Sequence, residues 1–152
     1  MAKGKLVGAA VAATLLATAC SNNASAPASG TKTFDAEDTR SFAGIGPDEV
    51  VHFTGTEPFW GGQVAGGNLL YTTPDFQQGE SVAVSRFAGR NGLSFNGDLD
   101  GKPFVLALSP DACSDGMSDR KYPFTATLQV RDELRQGCAW TEKQPFSGPP
   151  QP

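Results

Sequence analysis

Hydrophobic and polar residues alternate along most of the chain between residues 50 and 141. The clearest case is the segment 124–130, in which one face would carry four apolar residues, namely Phe124, Ala126, Leu128 and Val130. A period of two is that of a β-strand with one buried face, and no stretch of about 12 residues carries a helical stripe. The pattern therefore predicts an all-β protein.

Turn-forming dipeptides separate the predicted strands. Asn91-Gly92 follows an alternating segment at 82–87, and Asp100-Gly101 separates the segments 93–99 and 104–108. Both dipeptides readily adopt the positive φ angles of a type I′ turn, which makes them the strongest short hairpin signals. These three segments therefore predict a meander of antiparallel strands.

Further strands flank the meander. We assign two earlier strands to 50–55 and 62–72, because Pro58 interrupts the pattern between them and proline cannot donate to a sheet. A last strand at 134–140 would follow a turn at Asp132-Glu133. About seven or eight short antiparallel strands must close or stack, since an open sheet would leave a long unpaired edge. We predict a small antiparallel β-barrel, with a β-sandwich as the alternative.

The N-terminal residues predict export. Lys3 and Lys5 precede an apolar run at 6–19, which is shorter than the ~20 residues of a membrane-spanning helix. Residues 1–19 therefore form a predicted signal peptide. The segment 16–20 resembles a bacterial lipobox, in which the cysteine is acylated and becomes the new N-terminus. Ala17 stands where that pattern prefers leucine, and Ala17-Thr18-Ala19 also fits ordinary secretory cleavage, so a soluble secreted protein is the alternative.

The cysteines favour the lipidated form. The chain has three, Cys20, Cys113 and Cys138. Plain secretion would leave one thiol unpaired in an oxidising compartment, whereas acylation uses Cys20 and leaves a pair. We therefore predict lipidation of Cys20, a disulfide between Cys113 and Cys138, and anchoring in the bacterial cell envelope. Ser21 follows the lipidated cysteine, and by resemblance to enterobacterial lipoproteins this favours the outer membrane, facing the periplasm.

Composition sets the remaining boundaries. Small polar residues dominate 20–33, which predicts a flexible tether before a β domain at 34–142. Residues 143–152 carry four prolines and predict a disordered tail. The chain has a net charge of −4 and no basic patch, so nucleic acid is not an expected partner. The expected partners are the membrane, through the N-terminal lipid, and an envelope protein or glycan.

Two strings of residues are unusually specific. The first is GTEPFW at 55–60, and the second is CSDGMSDRKYPF at 113–124, followed by Gly137-Cys138-Ala139. Together they resemble the signature of a family of bacterial envelope proteins, described as uncharacterised membrane proteins or putative lipoproteins. The resemblance extends over residues 42–139. It implies an envelope location and the disulfide, and it brings no established activity.

The two strings supply the candidate site residues. The second string predicts a disulfide-braced binding loop, composed of Ser114, Asp115, Ser118, Asp119, Arg120 and Tyr122. Its short polar side chains should bond to loop backbone, and Gly116 should adopt a positive φ. The first string predicts an exposed aromatic patch formed by Glu57, Phe59 and Trp60. In the alternative interpretation, Pro58 sets a strand corner and both rings fill one end of the barrel.

Catalytic machinery is not evident. His52 is the only histidine, so one chain cannot build a site with two imidazoles, and no nucleophile elbow, P-loop or dinucleotide fingerprint occurs. The aspartates at 111, 115 and 119 lack the spacing of an EF-hand. We therefore expect no catalytic residue, metal or cofactor.

The leading functional hypothesis is a binding or structural module of the envelope that is not an enzyme. One alternative is a lysozyme inhibitor of the membrane-bound lipoprotein type, because known inhibitors of that type are small disulfide-stapled barrels with a polar inserting loop. A weaker alternative is an enzyme acting on envelope glycans or lipids, in which Glu57 beside two rings serves as a general acid with an aspartate.

Overall fold

The computed structural model describes residues 40–149, and these residues form eight strands. The strands are β1 (Val51–Thr56), β2 (Phe59–Ala65), β3 (Asn68–Thr73), β4 (Phe76–Ala88), β5 (Leu93–Leu99), β6 (Lys102–Ser109), β7 (Phe124–Val130) and β8 (Glu133–Thr141). The predicted signal peptide, Cys20, the tether and residues 150–152 lie outside the described part. Within residues 40–149, no helix is long and apolar enough to cross a bilayer.

The eight strands form a closed antiparallel barrel. Each strand pairs with the next one along the chain, and β8 pairs with β1, where Val51 faces Thr141 and Phe53 faces Ala139. The predicted barrel is therefore confirmed, and the sandwich alternative is wrong. The alternation in β7 is also confirmed, because its four apolar residues are buried while the residues between them are partly or fully exposed.

Side chains fill the interior of the barrel. The largest fully buried ones are three phenylalanines, Phe53, Phe104 and Phe124, which are at most 2% exposed. Ile45, from the segment before β1, is 1% exposed and belongs to the same core. An eight-stranded barrel is just wide enough for its side chains to fill it. The interior is thus a packed core rather than a ligand cavity.

The two predicted glycine turns have different outcomes. Asp100 and Gly101 join β5 to β6 with φ angles of 57° and 76°, so this type I′ turn is confirmed. The turn predicted at Asn91-Gly92 is wrong, because residues 89–92 form a longer loop in which Gly89 N donates to Gly92 O at 3.0 Å. Neither Asn91 nor Gly92 has a positive φ. A Cβ on Gly92 would overlap the carbonyl of Leu108, so the glycine serves close packing instead.

A second type I′ turn divides the segment predicted as one strand at 62–72. Gly66 and Gly67, with φ angles of 53° and 82°, join β2 to β3. β4 is also longer than its predicted core at 82–87, since it begins at Phe76. These two differences make the barrel eight-stranded and give it a turn between β3 and β4 at residues 74–75.

In an antiparallel meander, consecutive turns lie at opposite ends of the sheet, so every second turn lies at the same end. The turns at 57–58, 74–75, 100–101 and 131–132 therefore share one end, which we call the barrel mouth. The chain enters β1 and leaves β8 at the opposite end. The segment before β1 also lies there, because Phe42 N donates to Gly89 O at 2.7 Å.

The predicted disordered tail is wrong for residues 143–149. Ser147 exchanges two backbone hydrogen bonds with Lys121, at 2.9 and 3.0 Å. Phe146 packs edge-on against Trp140, with ring centroids 5.6 Å apart, and contacts the Tyr122 ring at 5.5 Å. The prolines suggested disorder, but Phe146 gains enough aromatic contact to order this segment against the barrel.

Candidate binding site at the barrel mouth

The loop between β6 and β7 runs along the outer face of the barrel. The predicted disulfide between Cys113 and Cys138 is present, with Cα atoms 5.6 Å apart. Cys113 and Tyr122 also exchange two backbone hydrogen bonds of 2.9 Å. Cys138 lies on the outer side of β8, since the next residue, Ala139, is in the core, yet it is fully buried. The loop therefore covers this part of the sheet.

Asp115 organises the loop. Its carboxylate accepts hydrogen bonds from Met117 N at 3.0 Å, from Ser118 N at 2.8 Å and from Ser118 Oγ at 2.7 Å. The hydroxyl of Tyr122 donates a fourth at 3.1 Å. The backbone oxygen of Asp115 accepts from Thr56 Oγ1 at 3.1 Å, which joins the loop to the end of β1.

Local hydrogen bonds keep Asp115 ionised. Burial by itself would raise the pKa of the carboxyl, but the bonds from Ser118, Met117 and Tyr122 outweigh it and lower the pKa to about 2. Burial raises the pKa of Tyr122, so its hydroxyl keeps the proton that it donates. The carboxylate is thus an internal part of the loop.

Other predicted loop residues also bond within the chain. Gly116 has the expected positive φ of 73°, and Ser118 Oγ accepts from Arg120 N at 3.2 Å. Arg120 Nε donates to Pro149 O at 2.9 Å, and its guanidinium lies 4.7 Å from the centroid of the Phe146 ring. Asp119 and Ser114 are exposed. Most of the side chains predicted to bind a partner therefore stabilise the loop itself.

The predicted aromatic patch is wrong for Trp60. Trp60 is 3% exposed and packs inside the barrel against Phe53, with ring centroids 5.7 Å apart, whereas Phe59 is 52% exposed. Successive residues of a strand point to opposite faces, so the two rings cannot share one surface. Glu57 is exposed at the turn before them. The alternative interpretation is confirmed for Trp60, which fills the barrel, and is wrong for Phe59.

A second aromatic cluster lies on the outer surface and was not predicted. It comprises His52, Tyr122, Trp140 and Phe146. His52 points off the apolar face, as expected from its position between Val51 and Phe53, and stacks on Trp140 at 5.3 Å. The tail and the loop both pack against this cluster, so its role is structural.

A wide cleft lies at the barrel mouth. It has a volume of about 910 Å³ and lies among the turns at 57–58, 74–75 and 131–132. Its lining combines aromatic and charged side chains, among them Phe59, Phe76, Tyr71, Glu80 and Arg135. These five residues come from four strands, so no single motif indicated the whole cleft, although Glu57 and Phe59 of the GTEPFW string line it.

Polar side chains that are hydrogen-bonded to one another form the floor of this mouth cleft. Leu128, the register partner of Arg135 on β7, is in the core, so Arg135 points toward the barrel axis, and its side chain is only 15% exposed. Arg135 Nη1 donates to the hydroxyl of Tyr71 at 2.6 Å, while Nε and Nη2 donate to Glu133 Oε2 at 2.9 and 2.5 Å. Burial raises the pKa of Tyr71, which keeps this hydroxyl neutral. The floor is therefore preorganised.

Apolar side chains form the rim. Phe59 and Phe76 are 52% and 50% exposed, and Leu134, at the start of β8 beside the same end, is 69% exposed. Phe59 and Phe76 both line the cleft, and exposed apolar surface that lines a groove is typical of an interaction site. Phe87, which is 64% exposed, lies toward the opposite end of the barrel and offers a comparison.

The residues that the structure describes contain no group of three or more histidine, cysteine or acidic side chains placed to hold a metal ion. Comparisons of the chain with models of protein families, with curated proteins and with solved structures gave no match. The functional argument therefore depends on the geometry of this chain.

Proposed function

We propose that this protein is a binding module of the bacterial cell envelope, not an enzyme, and that its ligand binds in the mouth cleft. The observation that carries the proposal is the combination, in one cleft of about 910 Å³, of a bonded polar floor and an exposed aromatic rim. Ligand sites typically occupy about 300–1,000 Å³, and the mouths of β-barrels are among their common positions.

The packed interior supports a site at the end of the barrel. In residues 40–149, Phe53, Phe104 and Phe124 fill the middle of the barrel, so we place the ligand at its end. The mouth cleft offers apolar rings for contact area, above a floor that the hydrogen-bonded hydroxyl of Tyr71 and guanidinium of Arg135 hold in place.

The route of the chain supports the same site. Residues 40–45 lie at the end opposite the barrel mouth, where Phe42 bonds to Gly89 and Arg86 Nη2 donates to Ile45 O at 2.8 Å. If Cys20 is acylated, as the lipobox-like segment predicts, the anchored chain enters the barrel from that end. The segment that enters the barrel therefore leaves the mouth cleft uncovered.

We favour the mouth cleft over the loop at 113–122 as the ligand site. Asp115, Ser118 and Arg120 bond to the chain itself, so a partner would have to break those contacts to use them. The loop instead braces the barrel next to the mouth through the bond from Thr56 to Asp115. A lysozyme inhibitor would need a loop that protrudes, so this geometry does not favour that alternative.

A pair of matched variants tests the proposal. Full-length protein with Phe59→Ala and Phe76→Ala is compared with the Phe87→Ala variant for capture of ligands from native envelopes. We expect the double variant to lose at least about tenfold in bound ligand, since an exposed aromatic anchor contributes about 1–2 kcal/mol. The Phe87→Ala variant should bind as the wild type does. Equal capture by all three proteins would disprove the mouth cleft as the binding site.

A further inference from the structure

The charges in the mouth cleft are unevenly compensated. Glu57, Asp75 and Glu80 line it together with Arg131 and Arg135. Both arginines are already bonded to carboxylates that do not line the cleft. Arg131 Nη2 donates to Asp100 Oδ2 at 2.8 Å, and Arg135 donates to Glu133.

Among the residues that the structure describes, the carboxylates that line the cleft have no positive side chain within close hydrogen-bonding distance. The closest contact between Glu80 and Arg131 is 4.0 Å, and Glu57 and Asp75 are exposed on the rim. Because each arginine already has its own carboxylate, Glu57, Asp75 and Glu80 leave the cleft with an excess of negative charge. The net charge of the chain, −4, has the same sign. An anionic ligand would therefore be repelled, and a cation attracted.

The aromatic rim favours the same kind of ligand. Half-exposed rings such as Phe59 and Phe76 offer faces of negative electrostatic potential, which attract a cation placed over them. The rings also cover the carbon skeleton of a ligand and remove apolar surface from water. A ligand that combines a positive group with apolar carbon would use both the carboxylates and the rings.

We infer that the mouth cleft binds an organic cation, an ammonium or guanidinium group carried on an apolar body. This inference rests on the proposed function, because it names the chemical class of the ligand for the same site. The positive group lies between the Glu57, Asp75 and Glu80 carboxylates, and the apolar part lies against Phe59 and Phe76. The hydroxyl and guanidinium of the floor stay bonded to each other.

Three probes with the same chain length test the inference. Octylammonium, octan-1-ol and octanoate are titrated, below their aggregation concentrations, into the full-length protein, and backbone amide shifts report where each one binds. We expect octylammonium to bind at the barrel mouth about tenfold more tightly than octan-1-ol, and octanoate to bind more weakly than either. The affinity for octylammonium should fall as salt is added, because the rim carboxylates are exposed.

Two double variants, each lacking two carboxylates, extend the test; the first is at the site and the second is its control. Glu57→Gln with Asp75→Asn removes two charges from the rim, and Asp48→Asn with Glu142→Gln removes two exposed charges from the opposite end. The rim variant should lose at least about threefold in affinity for octylammonium, and the control variant should lose much less, because exposed charges that are far apart are screened.

The outcomes separate this inference from the proposed function. Equal binding of all three probes at the mouth, or a preference for octanoate, would overturn the preference for cations and leave the binding site intact. Absence of binding by every probe would overturn the inference. The proposed function is overturned by a separate result, namely full envelope ligand capture by the variant lacking Phe59 and Phe76.

Discussion

The hydroxyl of Tyr122 donates a hydrogen bond to Asp115 across the braced loop, over 3.1 Å. Tyr122 is 3% exposed, and its ring packs against Trp140 and Phe146 on the outer face of the barrel. Asp115, the loop carboxylate whose pKa is strongly lowered, is therefore connected through the Tyr122 side chain to the aromatic cluster that holds the tail. Loop, tail and barrel should lose order together.

Asp115 should make stability depend on pH in the acid range. Its pKa is about 2 in the folded protein against 3.8 for an unperturbed side chain, so the ionised form stabilises the fold above about pH 4. That contribution is lost as the pH falls from about 4 to about 2. We expect Asp115→Asn to lower the free energy of unfolding by about 1–3 kcal/mol at pH 7 and to have little effect near pH 2.

Urea unfolding of both proteins across this pH range measures the difference. Asp119→Asn, a change at an exposed position in the same loop, is the control and should shift stability by less than about 0.5 kcal/mol. A difference between wild type and Asp115→Asn that does not change with pH would contradict the prediction.

Gly55 should be required for the position of Trp60. A Cβ on Gly55 would overlap the indole nitrogen and lie 2.9 Å from the carbonyl oxygen of Gln136. We expect Gly55→Ala to destabilise the protein by about 1–3 kcal/mol, because the indole must move within a packed core. At Gly89 an added Cβ meets only ordinary contacts, the nearest at 3.5 Å, so Gly89→Ala is the matched control. Thermal unfolding and near-ultraviolet circular dichroism report both effects.

The disulfide should contribute a large share of the stability. It closes a loop with a sequence separation of 25 residues, for which the chain-entropy model gives about 3.5 kcal/mol. We expect the double variant Cys113→Ala, Cys138→Ala to unfold at correspondingly lower urea concentration. A loss below about 1 kcal/mol would contradict the contribution that the chain-entropy model assigns to the disulfide.

The ordered tail should depend on Phe146. Replacing this ring by alanine removes its contacts with Trp140 and Tyr122, and we expect a loss of about 1–2 kcal/mol. Acrylamide should then quench tryptophan fluorescence more strongly, since Trp140 becomes exposed while Trp60 remains in the core. Phe87→Ala, at an exposed position, should leave both quantities unchanged. Unaltered quenching in Phe146→Ala would contradict the packing of the tail.

Lipidation can be tested directly on the mature protein. We expect mass spectrometry to find fatty acids on an N-terminal Cys20 and the natural protein to sediment with membranes. The variant Cys20→Ser should lose both properties, whereas the variant without the disulfide should keep them. A mature wild-type chain that begins at Cys20 without acyl groups would instead support plain secretion.

The fold was predictable where the signals are local. The alternation in β7 and the Asp100-Gly101 turn depend on neighbouring residues, and both were predicted from the sequence. The turn predicted at Asn91-Gly92 was wrong because glycine is used for two different reasons. It allows a positive φ in a tight turn, and it allows the backbone to pack closely, as Gly92 does here against the Leu108 carbonyl. Only the packing of β5 against β6 distinguishes them.

The site was less predictable because it is assembled from distant segments. Phe59, Tyr71 and Arg135 line one cleft although they are widely separated in the sequence, and barrel closure determines their proximity. The motif around Asp115 was correctly recognised as turn chemistry, but the sequence did not reveal that its carboxylate is saturated by its own loop. Phe146 looked like part of a proline-rich tail because its aromatic partners, Tyr122 and Trp140, lie in two separate elements, a loop and a strand.

The register of the closing strands has a practical consequence. Val51 and Thr141 face each other across β1 and β8, so the strand order is continuous around the barrel and has no natural first member. A linker of a few residues could bridge these two positions, and the polypeptide could start instead at the exposed glycine pair between β2 and β3. Such a permuted molecule would carry its termini at a different hairpin while keeping every strand neighbour.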